Sequence, residues 1–370
     1  MKFKKHLNYN ILKKHKKYKI YKRKTCIKYV KSITEMKKFI CNNDITCQNN
    51  KLDMAIYTNN KEIIASYSKD IVNIRMNKIN LYKEKLKKLQ EYPLIKQRTD
   101  EWYELRKNRL TASDLEDAIK DNNIAIAKKK AGILKDTTNY NGVPALKWGV
   151  MFEPMATRCY SQANYNIGIS EFGLIPDKKL EHFGASPDGI NDLGIMIEIK
   201  CPYSRVIIDG SISDKYYMQI QGQLAVCELE ECDFIECKFE THESVYKYIE
   251  MFNDTDVNHG VIAEYKNKTT GEFVYLYSDI GLRASSAYDN INKQIFMMNN
   301  ENNDNLVFIK ITSWNLSKMN VQRISFDQEL WDNTIPKINR FWNKVEECKL
   351  LPTEQPVKKK NKYVFIEDND

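Results

Sequence analysis

The chain has 370 residues and a hydrophobic content of 42%, enough to bury a sizeable core without help from disulfides or a bilayer. No run of about 18 apolar residues occurs, which excludes an evident spanning helix, and the nine cysteines (26, 41, 47, 159, 201, 227, 232, 237 and 348) are odd in number and scattered, which excludes a disulfide-framed secreted module. The formal charge of +9 is unevenly placed: residues 1–40 hold 15 Lys and Arg against one Glu, so this stretch carries +14 and the rest −5. A basic arm on a mildly acidic body suits attraction to a polyanion, the other reading being a solvated or targeting tail. A soluble protein of an intracellular, reducing compartment is expected, with no membrane partner.

In chain order, residues 1–69 read as a basic, flexible arm, because KKHKKYKIYKRK at 13–24 and CNNDITCQNNK at 41–51 show no sustained period. From Asp70 to Tyr92, apolar residues at 71, 74, 79, 81, 86 and 89 predict a ragged amphipathic helix stopped by Pro93, which makes 70–94 a helical connector. The main domain is then expected over 95–350, with its core at 95–240, a C-terminal extension after it, and a loose tail at 351–370. Ser113 and Glu116 have the spacing of a helix capping box. Residues 145–163 carry Leu146, Met151, Phe152, Met155, Ala156, Cys159 and Tyr160 near helical spacing, with Glu153 on the same helix.

Short strand-like runs follow at 171–177, 182–190 and 195–202, separated by turn residues. A helix at 214–229 leads to an alternating strand at 233–240. VIAEY, EFVYLY and LVFIKI predict further strands, with helices near 281–297 and 327–348. No repeat is visible. The order helix, three strands, helix, strand predicts an α/β fold with a mixed central sheet flanked by helices and extensions at both ends.

The chemistry concentrates in IMIEIKCP. Along a strand Ile195, Ile197 and Ile199 share one face while Met196, Glu198 and Lys200 share the other, so a carboxylate and an ammonium are held side by side on an interior strand. Alone, EIK reads as a buried Glu/Lys pair or an exposed sheet face. SPDG at 186–189 changes that balance, because a Pro-Asp-Gly turn ten residues before Glu198 lets Asp188 fold back beside it. Two converging carboxylates suit a hard divalent cation, which binds through oxygen and keeps water and phosphate oxygens as its other ligands. Lys200 is then placed to orient or deprotonate an attacking water, and the set makes a phosphodiester-hydrolysing kit.

ASPDG followed by IEIKCP is similar to the PD-(D/E)XK nuclease signature, and the flanks resemble the lambda exonuclease/YqaJ viral recombinase family. The blocks WYELRKNRLTAS (102–113), WGVMFE (148–153), SPDG with EIKCP (186–189 and 198–202) and YYMQIQ (216–221) stand in the family's order, so the likeness covers roughly 95–240. The resemblance implies a restriction-endonuclease-like core in which Asp188, Glu198 and the Ile199 carbonyl ligate catalytic Mg²⁺, with Mn²⁺ as an alternative. It implies that Glu153 adds a further acidic ligand and that Lys200 activates water. Arg106, Ser113, Ser186 and Gln219 match the residues that grip substrate phosphate, although each alone would read as a surface or capping residue.

The activity so implied is exonuclease digestion of duplex DNA ends, 5′ to 3′, in recombination or DNA processing. A single-strand annealing protein and a homo-oligomer are the implied partners beside DNA, in the cytoplasm, the nucleus or a viral replication site. An endonuclease or RNase on the same fold is the alternative within enzymes, and a non-catalytic DNA-binding protein the alternative outside them. Trp102 and Trp148 read as core fillers and Asp177 as a turn aspartate. The C-x4-C-x4-C spacing of Cys227, Cys232 and Cys237 straddles a helix and a strand, which argues against an iron-sulfur cluster, and no HExxH or paired-cysteine loop supports zinc.

Overall fold

The structure, a computed structural model, describes residues 50–95, 99–134, 143–253, 257–300 and 305–352. The basic stretch up to residue 49 and most of the tail expected at 351–370 lie outside the described residues.

Three helices open the described chain: α1 (50–57), α2 (Lys61–Ala65) and α3 (Lys69–Leu89). The arm expected over 1–69 is therefore shorter, because Leu52, Asp53 and Ala55 of α1 are buried. Ser68 caps α3, its hydroxyl accepting from the Ile71 N–H. The helix is no free connector: Val72, Arg75, Ile79, Tyr82, Leu86 and Leu89 form its buried stripe. Ile71, Ile74 and Leu81, counted on the apolar face in the sequence, are 49%, 68% and 45% exposed. The inward face was misjudged because it contains an arginine and a tyrosine, which find buried polar partners there.

Next come α4 (Asp100–Lys107), β1 (Leu110–Thr111), α5 (Leu115–Ala118), α6 (Ile124–Lys130) and the long α7 (Pro144–Ala163). Pro144 suits the first turn of α7, where its missing N–H has no helical partner to lose. The strands β2 (Ile169–Ser170), β3 (Ile175–Pro176), β4 (Phe183–Ala185), β5 (Gly189–Asn191) and β6 (Met196–Lys200) then precede α8 (Asp214–Cys227) and β7 (Glu231–His242). The chain continues through α9 (Val245–Phe252), β8 (His259–Asn267), β9 (Phe273–Tyr277), α10 (Ala284–Asn300), β10 (Leu306–Ser325) and α11 (Gln328–Lys349).

Seven strands pair in the order β2-β5-β6-β7-β10-β8-β9, and β1-β4-β3 form a small second sheet. In the large sheet only β6 and β7 run parallel, joined through α8, so the sheet is mixed as expected. Ile195, Ile197 and Ile199 pack with Met151, Phe152, Met155 and Cys159 of α7, whereas Met196 packs in a second core with α8 and α11. Helices thus cover both faces.

Two strand expectations change. The run 182–190 is divided between two sheets, β4 in the small one and β5 in the large one, and the joint is Ser186-Pro187-Asp188, where Pro187 has no N–H to continue a ladder. LVFIKI is the start of a 20-residue strand, β10, which pairs with β8 and then with β7 through two register shifts. The C-terminal part of the chain therefore supplies a strand next to the centre of the sheet.

Candidate active site

The β5–β6 hairpin sets Gly189 opposite Ile197 and Ile190 opposite Met196, which brings Asp188 alongside Glu198. A Cβ at Gly189 would lie 2.6 Å from Ile169 Cγ2, so the glycine after Asp188 is what lets β2 close against β5. Asp188 Oδ2 accepts from the Ile199 N–H at 2.7 Å. Glu198 is fully buried, and both its oxygens are occupied: Gln219 Nε2 donates to Oε1 at 2.7 Å, Gln223 Nε2 to Oε2 at 2.8 Å, and Lys200 Nζ pairs with Oε1.

Gln219 and Gln223 stand one turn apart on α8 and face the strand together. Gln219 was expected among the phosphate contacts, but here its amide is spent on Glu198. Gln223 was missed, although its i+4 spacing from Gln219 could have revealed it. Gln221, on the opposite side of the helix, ties α8 to the Ser325 carbonyl and the Asp327 N–H.

Burial, then Glu198, then Glu153 push the Asp188 carboxyl well above its ordinary value; Lys200 and the Ile199 N–H only partly offset them. Burial alone would lower the Lys200 ammonium, but Glu198 and Asp188 outweigh it and hold the group charged above its ordinary 10.5. Glu198, Glu153 and Lys200 thus all act on Asp188, Lys200 pairs with Glu198, and Ile199 binds Asp188 through its N–H. The carboxyl oxygens of Asp188 and Glu198, with Glu153 acting on Asp188, are donors of the kind a divalent cation takes. The hard oxygen donors fit such an ion. Among the described residues no three acidic, cysteine or histidine side chains are already gathered as a closed cage, since the acids are turned towards protein donors.

A second group adjoins the first. Arg106 Nη2 donates to Thr111 Oγ1 at 3.1 Å and Ser113 Oγ at 3.2 Å, and its guanidinium lies 4.2 Å from the centre of the Trp102 ring. Trp102 Nε1 donates to Ser186 Oγ at 3.4 Å, and the Ser186 carbonyl accepts from Gln223 at 3.3 Å. Arg106, Ser113 and Ser186 therefore stand together, and Ser186 links them to the carboxylates. Ser113 is no helix cap: α5 begins after Asp114 without a side-chain cap. Trp102 is buried as expected and also carries Arg106. Burial lowers the Arg106 pKa, with Asp114 opposing. Asp114 in turn pairs with the buried Lys130 at 3.1 Å, a contact between residues of unremarkable sequence context.

The remaining candidates fall elsewhere. Trp148 packs on Phe152 and Tyr203. Asp177 Oδ1 accepts from the N–H groups of Lys179 and Leu180, as a turn aspartate does. Cys227 and Cys232 belong to one core and Cys237 to the other, across the sheet.

Fold and site together define a mixed α/β domain with a buried acid-and-lysine centre beside a cationic, hydroxyl-lined group. Residues 101–230 match the YqaJ-like viral recombinase domain, a span that contains every block on which the sequence resemblance rests. An uncharacterised protein of Acanthamoeba polyphaga mimivirus is 28% identical over 307 residues, which cover 70% of this chain and 54% of the relative, so the chain spans about half the length of the curated relative it matches. The alkaline exonuclease LHK-Exo of Laribacter hongkongensis, solved in complex with dAMP, is 19% identical with a TM-score of 0.40, covering 67% of this chain and 93% of that one. A phage-related exonuclease from Haemophilus somnus is 11% identical with a TM-score of 0.34, covering 65% and 94%. Among the described residues no helix is long and apolar enough to cross a membrane.

Proposed function

We propose that the protein is a divalent-metal-dependent DNA exonuclease that hydrolyses phosphodiesters at duplex ends, 5′ to 3′, with Asp188, Glu198, Glu153 and the Ile199 carbonyl as the holders of Mg²⁺ or Mn²⁺. The observation that carries this reading is the meeting of Asp188 and Glu198 on the β5–β6 hairpin, with Lys200 paired to Glu198 and with Glu198 and Glu153 both raising the Asp188 carboxyl. When bound, the cation supplies Lewis acidity to the phosphoryl group and acidifies water.

The chain's own residues divide the rest of the work. Gln219 and Gln223 hold Glu198 from two sides, which fixes the direction of its carboxylate. Lys200, held as an ammonium, serves better as an electrostatic partner for charge developing on the phosphoryl oxygens, and as an orienter of water, than as a base. Arg106, its hydrogen bonds directed at hydroxyls, offers its fork to a terminal phosphate together with Ser113 and Ser186. The 5′ to 3′ direction and the DNA substrate rest on the family resemblance.

The test uses purified protein and its Asp188→Ala variant with Mg²⁺ and end-labelled linear duplex, closed circular DNA and RNA, with and without a 5′-phosphate. Metal-dependent loss of linear duplex, sparing of the circle and inactivity of the variant are expected. Nicking of the circle would make the protein an endonuclease, cleavage of RNA would reassign its substrate, and binding without cleavage would leave a DNA-binding protein.

A further inference from the structure

The connection between Lys200 and α8, residues 201–213, is pinned to the sheet mainly by charge. Lys238 Nζ donates to the Tyr203 carbonyl at 2.7 Å, and Lys318 Nζ to the Ile207 carbonyl at 3.3 Å. Lys318 also pairs with Asp209 at 2.8 Å, and Arg205 pairs with Glu236 at 2.6 Å. Lys238 and Lys318 are direct cross-strand partners on β7 and β10, where like charges repel, yet both are turned onto the loop. Ile207 is the one buried residue of the connection. Its neighbours Val206 and Ile208 are 74% and 64% exposed, and Tyr203 is 51% exposed. A backbone anchored in this way holds three large apolar side chains out in water.

The loop also borders the active site. The Tyr203 ring lies 5.3 Å from Trp148, on the helix that carries Glu153. Arg205 lies 5.8 Å from the centre of the Tyr216 ring, and Lys200 Nζ lies 5.2 Å from the same centre. One aromatic ring therefore separates the active-site ammonium from the loop.

We propose that the segment 203–208 receives the bases of the DNA strand whose phosphate occupies the carboxylate centre, an inference that rests on the nuclease reading. A single strand offers alternating apolar base faces and anionic phosphates. The loop answers with Tyr203, Val206 and Ile208 interleaved with Arg205, Lys238 and Lys318. These three cations outnumber the two nearby acids, Glu236 and Asp209, so the surface complements a polyanion, and apolar contact with bases is tolerant of sequence.

The probe is a short duplex with a single-stranded overhang, made with ordinary or abasic nucleotides at the terminal positions, its affinity read by fluorescence anisotropy in EDTA. The wild-type protein is expected to bind the ordinary strand about tenfold more tightly than the abasic one. The double variant Val206→Ser/Ile208→Ser alters only exposed positions, so its melting temperature stays with the wild type, and it binds both strands alike at the abasic level. An equal loss on both strands, or no loss, would overturn the inference and leave the loop as a surface for another partner such as a protein. Mg²⁺ added to the same samples separates the two readings. Cleavage without base discrimination sinks the loop inference alone, discrimination without cleavage sinks the nuclease reading alone, and no DNA binding sinks both.

Discussion

The sheet buries two groups of acids, and they are built on opposite plans. Asp53 of α1, Glu231 and Asp233 of β7 are met by Arg75 of α3 and Arg323 of β10: Arg75 bridges Asp53 at 2.5 Å and Glu231 at 2.8 Å, and Arg323 bridges Asp233 at 2.5 Å and Glu231 at 2.8 Å. Lys78 lies 3.0 Å from Glu231 and 3.2 Å from the more exposed Glu230, so each buried acid of this group has a cationic partner. Tyr160 adds a hydrogen bond to Asp233 at 2.6 Å. In the carboxylate centre, Glu198 and Glu153 both act on Asp188, and Lys200 pairs with Glu198. Burial makes a charge costly unless it is paired, and the proposed cation would offset the repulsion that Glu198 and Glu153 exert on Asp188. The first group joins parts of the chain; the second is the proposed metal site.

Breaking the balanced group should have the largest effect, and on stability. Arg323→Met leaves Asp233 without its cationic partner in the core and is expected to cost about 3–5 kcal/mol in denaturant unfolding. The folded fraction should keep its metal requirement and its KM. Burial would raise the Glu231 carboxyl, but Arg75, Arg323 and Lys78 hold it well below its ordinary 4.5. A depressed acid contributes stability that is present above its unfolded value and is lost as pH falls towards its folded one. Wild-type stability should therefore decline progressively below about pH 4.5, and decline less steeply in Arg323→Met. A wild-type protein insensitive to acid would show that the pairs contribute little.

Lys200→Ala should have the next largest effect, on rate: a loss in kcat on the order of 10²–10³, with DNA affinity kept. The same comparison predicts a reversal for Asp188→Asn, which removes one of the mutually repelling acids. The variant should melt above the wild type without metal and below it with saturating Mg²⁺. Parallel thermal melts in EDTA and Mg²⁺ check both arms, and a variant less stable in each would make Asp188 structural. For the wild type, Mg²⁺ at a hundred times its Kd should add about 2.7 kcal/mol; the balanced group supplies no such gain.

These two groups also differ in how far the sequence discloses them. Asp188, Glu198 and Lys200 are separated by a hairpin's length, and strand alternation and turn chemistry suffice to bring them together. Arg323 and Asp53 are 270 positions apart, and no periodicity links them. That group is also why the inward face of α3 was misjudged, since a stripe containing Arg75 and Tyr82 does not look apolar. The break between β4 and β5 escaped for a related reason: the Ser-Pro-Asp-Gly turn interrupts HFGASPDGI, but only the pairing of each half decides its sheet. The helices α7, α8, α10 and α11 were legible because their apolar stripes are long, whereas the eight-residue α9 was not.

Gln223 yields the smallest effect and the sharpest division between the two plans. Its Nε2 holds Glu198, while its Oε1 is buried without a partner in the structure, so replacing the amide removes a useful donor and a costly acceptor together. Gln223→Met preserves volume and should leave stability within about 1 kcal/mol of the wild type. Glu198 would still be held by Gln219 and Lys200, but from one side. The expected signature is a kcat lower by about tenfold and a raised Mg²⁺ requirement, within the range seen when a residue supporting a metal ligand is lost. A large fall in stability with unchanged metal dependence would put Gln223 with the structural arginines instead, and would mean that the orientation of Glu198 is set by the strand alone.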